Sequence, residues 1–590
     1  MKNYVLVSVS DKTNILEFVS FLVSKDYWIL STGGTFRHIY DNLPDVRHRL
    51  EQVSDFTGFP EILGGRVKTL HPKIYGGLLW DNKFDMTNIT KISMVIVNLY
   101  PFEQVISIEN VEMEDAIENI DIGGVSLIRA AAKNFKNVSL VVDSNDYKDI
   151  MVNWNVSNTD EYRKKMAVKG FDMVTRYDAA ITNYFEHDII FRRYEKQSDL
   201  KYGCNPYQDN SAIYRMNNVN LPFKVLNGNP GYINLLDAIN SWLLVSELER
   251  ITNKTAASSF KHTSPAGVAI SNGQITENEV KIYDLDNYDL SKSPSGEAFI
   301  KARNCDPLSS FGDFIAISGE VDEPCARLIA REVSDGIIAG SYTSTALEIL
   351  KKKKNGKFII LEGNRDFEYQ DIEFRELNGF GLSQRANNQV LSKTELDNIV
   401  TQNVNMTEEI KDDLILATIT LKYTPSNSIT ISHNGIVLGV GAGQQNRVDC
   451  IKLAGRKADM WRLRRHPKVI DLYTKFKPGI KRTDRTNAIT KYINGDFSDM
   501  ELKQWKNLFE DNSIEMLDEK EKNNYLMYDL NISLSSDAFM PFRDNVDTAV
   551  KFKVKNIIQP GGSVADGSVI EACDEYNIMM VMTGKRFFLH

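Results

Sequence analysis

Three turns within the first 70 residues combine glycine, hydroxyl and cationic side chains, as phosphate-binding turns do. Each offers free backbone N–H groups, hydroxyls or a positive charge, and two precede predicted helices, whose N-termini attract anions. None matches the P-loop or the dinucleotide fingerprint. One such turn alone is as readily an ordinary capped turn, but three together favour an anionic ligand. The turns are Ser8-Val9-Ser10-Asp11-Lys12-Thr13, Ser31-Thr32-Gly33-Gly34-Thr35 and Gly64-Gly65-Arg66-Val67-Lys68-Thr69.

Groups that can move protons follow these turns. Tyr100 closes a predicted strand, and Asp121 precedes a predicted helix that carries Arg129 and Lys133. By themselves, Tyr100 fits a core position and Asp121 fits a helix N-cap. Together with Lys68 they would supply an acid, a base and cations around one phosphorylated ligand.

Two further motifs lie in the second half. Lys261-His262 follows a strand-like segment and precedes turn residues, but a lone Lys-His pair is more often structural than catalytic. Gly439-x-Gly441-x-Gly443 suggests a dinucleotide-dependent oxidoreductase, yet the third fingerprint spacing and the acidic residue that should follow are missing. The oxidoreductase hypothesis is therefore weak.

Alternating strand and helix patterns must position these groups. Apolar, β-branched runs predict strands, and helical spacing predicts helices between them, so we expect an α/β fold with a parallel sheet and ligands at its carboxyl edge. Ser10-Asp11 is the predicted N-cap of the first helix. Predicted strands are 4–9, 28–30, 94–99, 138–142, 428–432 and 436–440; predicted helices are 125–133, 160–193, 235–250 and 326–333.

A polar stretch at 194–199 follows the long helical pattern, so we predict one domain over 1–199 and a second, also α/β, over 200–590. A charged insertion occupies about 456–526. Its part from Arg456 to Arg485 contains eleven Lys or Arg and three Asp or Glu. The simpler interpretation is an inserted helical segment with solvated faces. The alternative is a basic rim for a polyanionic ligand.

Composition limits the functional classes. The 590 residues carry a formal charge of −9, which argues against nucleic acid or an anionic membrane as a partner. The five cysteines are odd in number and never form Cys-x-x-Cys, which is typical of a reducing compartment. We find no signal peptide and no run of about 18 apolar residues. A cytoplasmic protein is expected.

Longer runs in the first half resemble a known family. GGRVKTLHP, NLYPF and DIGGVSLIRAAAKN are similar to the IMP cyclohydrolase domain of the bifunctional AICAR transformylase/IMP cyclohydrolases. The resemblance implies a methylglyoxal-synthase-like parallel-sheet domain that closes the formylated carboxamide nucleotide FAICAR into IMP with loss of water. It implies that the ring-closing atoms lie near Lys68, Tyr100, Asp121 and Lys133. It implies that the phosphate and ribose lie near Ser10, Lys12, Ser31, Gly34, Thr35, Arg66 and Thr69.

The second half resembles the transformylase of the same family through KYGCNPYQ, KHTSPAG, DPLSSFGDFIAISG, REVSDGIIA, SNSI, GVGAGQQNR, DAFMPFRDNVD and KRFFLH, in that order. The resemblance implies two cytidine-deaminase-like subdomains and a homodimer with shared transformylase sites. It implies transfer of a formyl group from 10-formyltetrahydrofolate to the poorly nucleophilic amine of AICAR. No catalytic metal is expected, because the zinc deaminase pattern is incomplete: Pro324-Cys325 lacks the second cysteine.

The same resemblance implies roles for individual residues. His262 would be the general base, directly or through the carboxamide, and Lys261 would stabilise the formyl oxyanion or protonate the departing folate nitrogen. Asn427 and Asp335 would orient the amide and the folate. The remaining positions would bind the nucleotide phosphate and ribose or, for Phe539 and Asn545, lie near the folate: Lys201, Tyr202, Gly203, Phe539, Asn545, Arg586 and His590.

The sequence departs from the transformylase pattern at Lys201, Tyr207 and Leu589, where arginine, histidine and histidine are common. Lysine keeps the charge but loses the bidentate fork, so phosphate binding would weaken. These departures motivate an alternative, a catalytically reduced nucleotide-binding scaffold with the same fold. The intact Lys68 and Lys261-His262 favour the bifunctional enzyme. The SPAG ending and the insertion resemble the longer eukaryotic form.

Overall fold

The computed structural model describes residues 2–81, 83, 87–216, 219–367, 369–511 and 513–590. The chain divides into a first unit, Met1–Arg192, and a second unit, Arg193–His590. The polar stretch that suggested a boundary near 199 is a strand, Tyr194–Asp199, which pairs antiparallel with Ala212–Met216. Its backbone hydrogen bonds therefore attach it to the second unit.

Within its described residues, the first unit contains five strands and the helices between them. The strands are β1 Tyr4–Ser8, β2 Trp28–Ser31, β3 Leu50–Gln52, β4 Ile92–Val97 and β5 Ser139–Val141. The helices are α1 Ile15–Ser24, α2 Gly33–Asn42, α3 Val53–Thr57, α4 Pro72–Leu78, α5 Phe102–Ile106, α6 Met113–Glu118, α7 Gly123–Lys133, α8 Asp146–Val152, α9 Trp154–Ser157 and α10 Asp160–Phe185. Short 3₁₀ helices span Pro44–Arg49 and Leu63–Gly65.

All neighbouring strands of the first unit are parallel, in the order β3-β2-β1-β4-β5. Alternate side chains of β1 enter different cores: Val5 packs in one cluster with Phe18 of α1, and Leu6 packs in another with Leu127 of α7. Helices therefore cover both faces of the sheet, as buried parallel strands require. The predicted parallel α/β fold is confirmed.

Two local predictions are wrong. Helix α1 begins at Ile15 after Asn14, because the Asp11 carboxylate instead accepts the N–H of Thr13 at 2.9 Å and its hydroxyl at 2.6 Å in a local turn. Helix α10 ends at Phe185, eight residues before the predicted end. Only at α10 did the predicted helical pattern extend past the real helix end.

The second unit contains fifteen strands among its described residues. They are β6 Tyr194–Asp199, β7 Ala212–Met216, β8 Phe223–Asn227, β9 Ala256–Lys261, β10 Ser264–Ile270, β11 Asp313–Val321, β12 Ser334–Tyr342, β13 Ile359–Gly363, β14 Ile372–Leu377, β15 Phe380–Arg385, β16 Ile429–His433, β17 Ile436–Gly441, β18 Ile532–Ser536, β19 Val554–Gln559 and β20 Met579–Met582.

Its helices connect and cover these strands. They are α11 Tyr232–Thr252, α12 Glu277–Tyr283, α13 Pro294–Arg303, α14 Glu323–Arg331, α15 Ser344–Lys352, α16 Glu408–Lys422, α17 Arg447–Leu463, α18 Pro467–Tyr473, α19 Arg482–Asn494, α20 Asp499–Lys506, α21 Glu519–Leu526, α22 Asp544–Lys551 and α23 Asp566–Glu575. Short 3₁₀ helices span Lys353–Gly356 and Lys393–Asp397.

Eleven strands of the second unit form one sheet that repeats a single topology. The series β10-β9-β11-β12-β13 and β17-β16-β18-β19-β20 have the same order, each with an antiparallel hairpin, an antiparallel third strand and two parallel strands. The halves join where β10 pairs antiparallel with β17, Ala269 opposite Ile436. The predicted likeness of each half to cytidine deaminases stays a prediction.

The charged insertion is helical and has a core of its own. Tyr492 stacks on Trp505 with ring centroids 5.6 Å apart, and Phe476 stacks on Phe509 at 4.5 Å. Among the described residues, no helix is both long and apolar enough to cross a membrane. All five cysteines, each of which the structure describes, are free thiols.

Candidate functional site

A cavity of about 650 Å³ lies where strands β1, β2 and β4 of the first unit end. Helices α2 and α7 both begin at this cavity, so Gly34, Gly123 and Gly124 line it with the positively polarised ends of two helices. The predicted residues that line it are Ser10, Lys12, Gly34, Thr35, Arg66, Lys68, Thr69, Tyr100 and Asp121.

Asn98 fixes the loop after β1. Its Oδ1 accepts the N–H of Ser10 at 2.6 Å and of Asp11 at 3.0 Å, and its Nδ2 donates to the Asp11 carbonyl at 2.8 Å. The Thr35 hydroxyl accepts the N–H of Val9 at 3.2 Å and donates to the Val9 carbonyl at 2.9 Å. Asn98 also lines the cavity. The sequence analysis quoted it within NLYPF without assigning it to the site.

Asp121 is at once a helix cap and a cavity residue. Its carboxylate accepts the N–H of Gly124 in the first turn of α7 at 2.7 Å. Burial raises the pKa of Asp121, while the backbone N–H groups of Gly124 and Tyr100 and the charge of Lys68 oppose that rise. Lys68 Nζ lies 3.9 Å from the Glu61 carboxylate, a loose pair that leaves the ammonium open to a ligand. A carboxyl, a phenol and an ammonium thus surround one cavity.

Two predicted residues do not line this cavity. The buried Ser31 hydroxyl donates to the Val7 carbonyl at 2.8 Å and so links the end of β2 to the neighbouring strand β1. Lys133 is exposed at the last position of α7, about 15 Å along the helix from the end that meets the cavity. Arg66 lines the cavity and pairs with Glu118 on the same wall.

The hairpin β9–β10 of the second unit presents His262. Lys261 pairs with Ser264, so His262 and Thr263 form a two-residue turn, with φ of 55° and 58°. The corresponding hairpin β16–β17 turns through Asn434 and Gly435, with φ of 49° and 73°. Such turns favour Asn-Gly because both residues are left-handed. His and Thr in this conformation store strain, which clusters at functional sites.

Asp237 anchors the His262 turn from helix α11 beneath it. Its Oδ1 accepts the N–H of Thr263 at 2.7 Å. Burial raises the pKa of Asp237, and the adjacent His262 and the backbone N–H groups of the turn oppose the rise. In the sister half Asp413 accepts the N–H of Asn434 at 2.8 Å and of Gly435 at 2.7 Å. Sequence reasoning missed Asp237 because it lies 25 residues before His262.

A second cavity, of about 380 Å³, is lined by Lys261 and His262 and by Ser309 and Lys457, which the sequence analysis did not assign. Lys261 Nζ donates to the Phe311 carbonyl at 2.6 Å. Lys457 Nζ lies 3.2 Å from the Asp306 carboxylate, which also accepts the Ser309 hydroxyl at 2.7 Å. Two ammonium groups, an imidazole and a hydroxyl therefore converge, a set suited to stabilising negative charge and moving a proton.

Asn427 is held in a network at the start of β16. Its Nδ2 donates to the Gln444 carbonyl at 3.0 Å and its Oδ1 accepts from Arg447 at 3.2 Å. Arg447 forms a buried ion pair with Asp537 at 2.5 Å. Each end of the side-chain amide thus has a partner, which fixes its orientation.

The C-terminal tail docks beside Asn427. Ser426 and Leu589 exchange hydrogen bonds: the Ser426 N–H donates to the Leu589 carbonyl at 3.0 Å, and the Leu589 N–H donates to the Ser426 hydroxyl at 3.1 Å. Phe587 N–H donates to the Asp537 carbonyl at 2.9 Å. The tail therefore carries the predicted residues Arg586 and His590 to the edge that holds Asn427.

The other predicted transformylase residues lie outside the lining of the second cavity. Tyr202 donates to Asn234 Oδ1 at 2.8 Å, and burial together with the charge of Asp335 raises the pKa of Tyr202. Lys201 and Gly203 flank it. Asp335 pairs with Lys354 at 2.7 Å. Phe539 is 40% exposed after β18, and Asn545 is buried on α22. Among the described residues, no three His, Cys, Asp or Glu side chains cluster closely enough to hold a metal ion.

Comparison with protein families identifies two matches. A model described as AICARFT/IMPCHase bienzyme matches residues 131–457, more than half of the chain. A model described as MGS-like domain matches residues 14–126, which contain three of the five strands of the first sheet and part of the cavity lining.

Individual relatives match over nearly the whole chain. The bifunctional purine biosynthesis protein PurH of Leptospira biflexa is 34% identical over 603 residues, with 99% of each chain covered. PurH of Clostridium botulinum strain Kyoto is 34% identical over 602 residues, again with 99% of each covered. A solved structure described as the crystal structure of ForH matches 31% of this chain and 96% of its own, at 29% identity and a TM-score of 0.28.

The two hairpin turns lead to a stability prediction. Thr263→Gly should raise the free energy of unfolding by up to about 1 kcal/mol, since glycine accepts a left-handed φ that a β-branched residue resists. Gly435→Ala at the sister turn should lower it by about 1 kcal/mol for the converse reason. Urea unfolding of both variants measures the difference. An equal loss of stability in both would mean that Thr263 is not strained.

Proposed function

The chain belongs to the AICARFT/IMPCHase bienzyme family, and from this premise we infer that it is a bifunctional enzyme of purine biosynthesis that formylates AICAR to FAICAR and cyclises FAICAR to IMP. The observation that carries this conclusion is the match to the curated relatives over 99% of both chains. The scaffold alternative is not favoured, because the side chains that would perform both reactions are present.

We assign cyclisation to the first unit, Met1–Arg192, and to the 650 Å³ cavity. The carboxamide nitrogen of FAICAR must lose a proton as it attacks the formyl carbon, and the resulting oxyanion must be stabilised before water leaves. Asp121, with its raised pKa, is suited to accept that proton, and Lys68 to stabilise the oxyanion. The oxyanion would take up the carboxamide proton to become a hydroxyl. Tyr100 would protonate that hydroxyl as it leaves as water, and the N–H proton of the former formamido nitrogen would pass back to the tyrosinate as the ring C=N bond forms. The two helix N-termini would bind the nucleotide phosphate.

We assign formyl transfer to residues 200–590, with 10-formyltetrahydrofolate as the donor. His262, aimed by the strained turn, would remove the proton from the AICAR amine, directly or through the carboxamide. Lys261 would stabilise the oxyanion on the formyl carbon or protonate the folate nitrogen as its bond to that carbon breaks. Lys457 would supply a second positive charge to the same cavity. Asn427, held by Arg447, would orient the carboxamide.

We propose a homodimer in which the ribbon β14–β15 contacts the second copy. An isolated two-stranded ribbon is marginally stable in water, and this one exposes the large apolar side chains of Ile372, Phe380 and Leu382. A partner surface of the same chain would cover them and complete the transformylase sites. The free thiols support a reducing compartment, the cytosol, as the place of action.

His262→Ala should lower the rate of formyl transfer about 10²- to 10⁴-fold, because a positioned general base contributes that much. The measurement is one time course with AICAR and 10-formyltetrahydrofolate that quantifies tetrahydrofolate, FAICAR and IMP. The variant should still cyclise supplied FAICAR at the rate of the unmodified protein. Unchanged release of tetrahydrofolate would exclude His262 as the base.

Lys68→Ala provides the reciprocal case. FAICAR should accumulate while tetrahydrofolate is released normally, and cyclisation should slow about 10²- to 10³-fold, as when one oxyanion donor is lost. The same time course measures both products. Normal IMP output would remove Lys68 from the mechanism.

Phe380→Asp should shift the protein from dimer to monomer, since a charge would be buried at the proposed interface. Sedimentation velocity measures the change, and formyl transfer should fall with it if the sites are shared. Met500→Asp, at an exposed position on α20, is the matched control and should leave the dimer intact. A monomeric unmodified protein at concentrations where it formylates AICAR would contradict the proposal.

A further inference from the structure

A third cavity, of about 230 Å³, lies in the second unit between helix α12 and the inserted helices α18 and α19. Three arginines line it, Arg464, Arg482 and Arg485, together with Thr486 and Thr490. Four of these residues recur on one face of α19 at helical spacing, so a single helix presents two guanidinium groups and two hydroxyls to the same space.

Arg464 is the unusual member of this set. It is 3% exposed, and its Nη2 donates to the Cys305 carbonyl at 2.6 Å. Its Nε has no hydrogen-bond partner, and no carboxylate of the described residues forms an ion pair with it within 4.0 Å. Burial lowers the pKa of Arg464. The charge of Asp306 acts on Arg464 but is already paired with Lys457, so an anion in the cavity would offset a burial cost that the chain compensates only in part.

The neighbouring arginines also keep donors available. Arg482 pairs with Asp284 at 3.0 Å and Glu332 at 2.9 Å, but its Nε has no partner among the described residues. Arg485 Nε donates to the Ile480 carbonyl at 3.1 Å, an interaction that leaves both terminal nitrogens for a ligand. Guanidinium forks of this kind match the oxygens of phosphate.

The charges that line the cavity do not balance. Lys281 and the three arginines are positive, whereas Asp284 and Asp286 are negative, and Asp284 is already engaged by Arg482. The Glu332 carboxylate, which pairs with Arg482 from outside the lining, reduces the excess to one positive charge, and an anion in the cavity would balance it. We propose that this cavity binds phosphate, either free phosphate or the phosphoryl group of a small phosphomonoester.

This site is separate from those of the proposed reactions, but it shares a loop with one of them. Asn304 and Pro307 line the third cavity and flank Asp306. Asp306 in turn holds Lys457 and Ser309, which line the transformylase cavity. Residues of the segment 304–309 therefore border both cavities.

Calorimetric titration of the full chain with inorganic phosphate tests the proposal. Saturating IMP and AICAR are present throughout, so that the nucleotide sites are occupied. We expect one phosphate per chain, and Arg485→Gln should weaken its binding about tenfold or more, as loss of a charge-assisted donor does. Arg456→Gln, at an exposed position on α17, is the matched control and should bind normally. No uptake, or equal uptake by Arg485→Gln, overturns the proposal.

Asp286→Asn provides a second test, in which binding is expected to become tighter, whereas damage to the fold would weaken it. Removing this negative charge from the cavity lining should tighten phosphate binding several-fold. A second titration with glycerol 1-phosphate distinguishes the sources: tighter binding than inorganic phosphate identifies a phosphomonoester, and weaker binding identifies free phosphate. Binding of triglutamate but of neither phosphate would overturn the proposal in favour of a carboxylate ligand.

Discussion

A buried carboxylate that accepts the backbone N–H groups of a hairpin turn anchors each half of the second unit. Asp237 binds the turn of β9–β10 from helix α11, and Asp413 binds that of β16–β17 from α16. Burial raises the pKa of Asp413 to about 7, while the turn amides of Gly435 and Asn434 and the charge of Lys254 oppose the rise. Because removal of either partner strands a buried polar group, helix and hairpin are fixed to each other.

Within that shared frame the two turns differ, and only the first carries the proposed general base. Asn434-Gly435 satisfies the left-handed turn at little cost, whereas His262 and Thr263 occupy the same geometry at about 1–2 kcal/mol per residue. The second half contributes differently. Because β10 and β17 run antiparallel with Ala269 opposite Ile436, the start of β10 lies beside the end of β17, and the network around Asn427 reaches the same edge.

Strands and turns with a local sequence pattern were predicted correctly. Residues that come together only when distant helices and strands pack were missed. Strands β1, β2 and β4 are short apolar runs, and the turns after them gave five of the nine predicted residues that line the first cavity. Asp237 and Lys457 had no local signal, since each reaches His262 only through the packing of a distant helix. Ser31 and Lys133 were carried over from the family resemblance, and neither is among the residues that line the first cavity. Asp11 was predicted as a cap from its type, but a local turn competed for its carboxylate.

The charged insertion shows why composition alone could not decide between solvated helix faces and a basic rim for a polyanionic ligand. Helical structure there was predicted, but its basic residues have different environments. Lys457 reaches a cavity, Arg462 donates to the carbonyls of Leu526 and Tyr528, and Arg465 pairs with Glu279 and lies 3.3 Å from the centroid of the Trp461 ring. Burial requires each cation to find a partner. Arg464 is buried, donates to one carbonyl and forms no ion pair within 4.0 Å among the described residues, which is why we place the proposed anion in the cavity beside it.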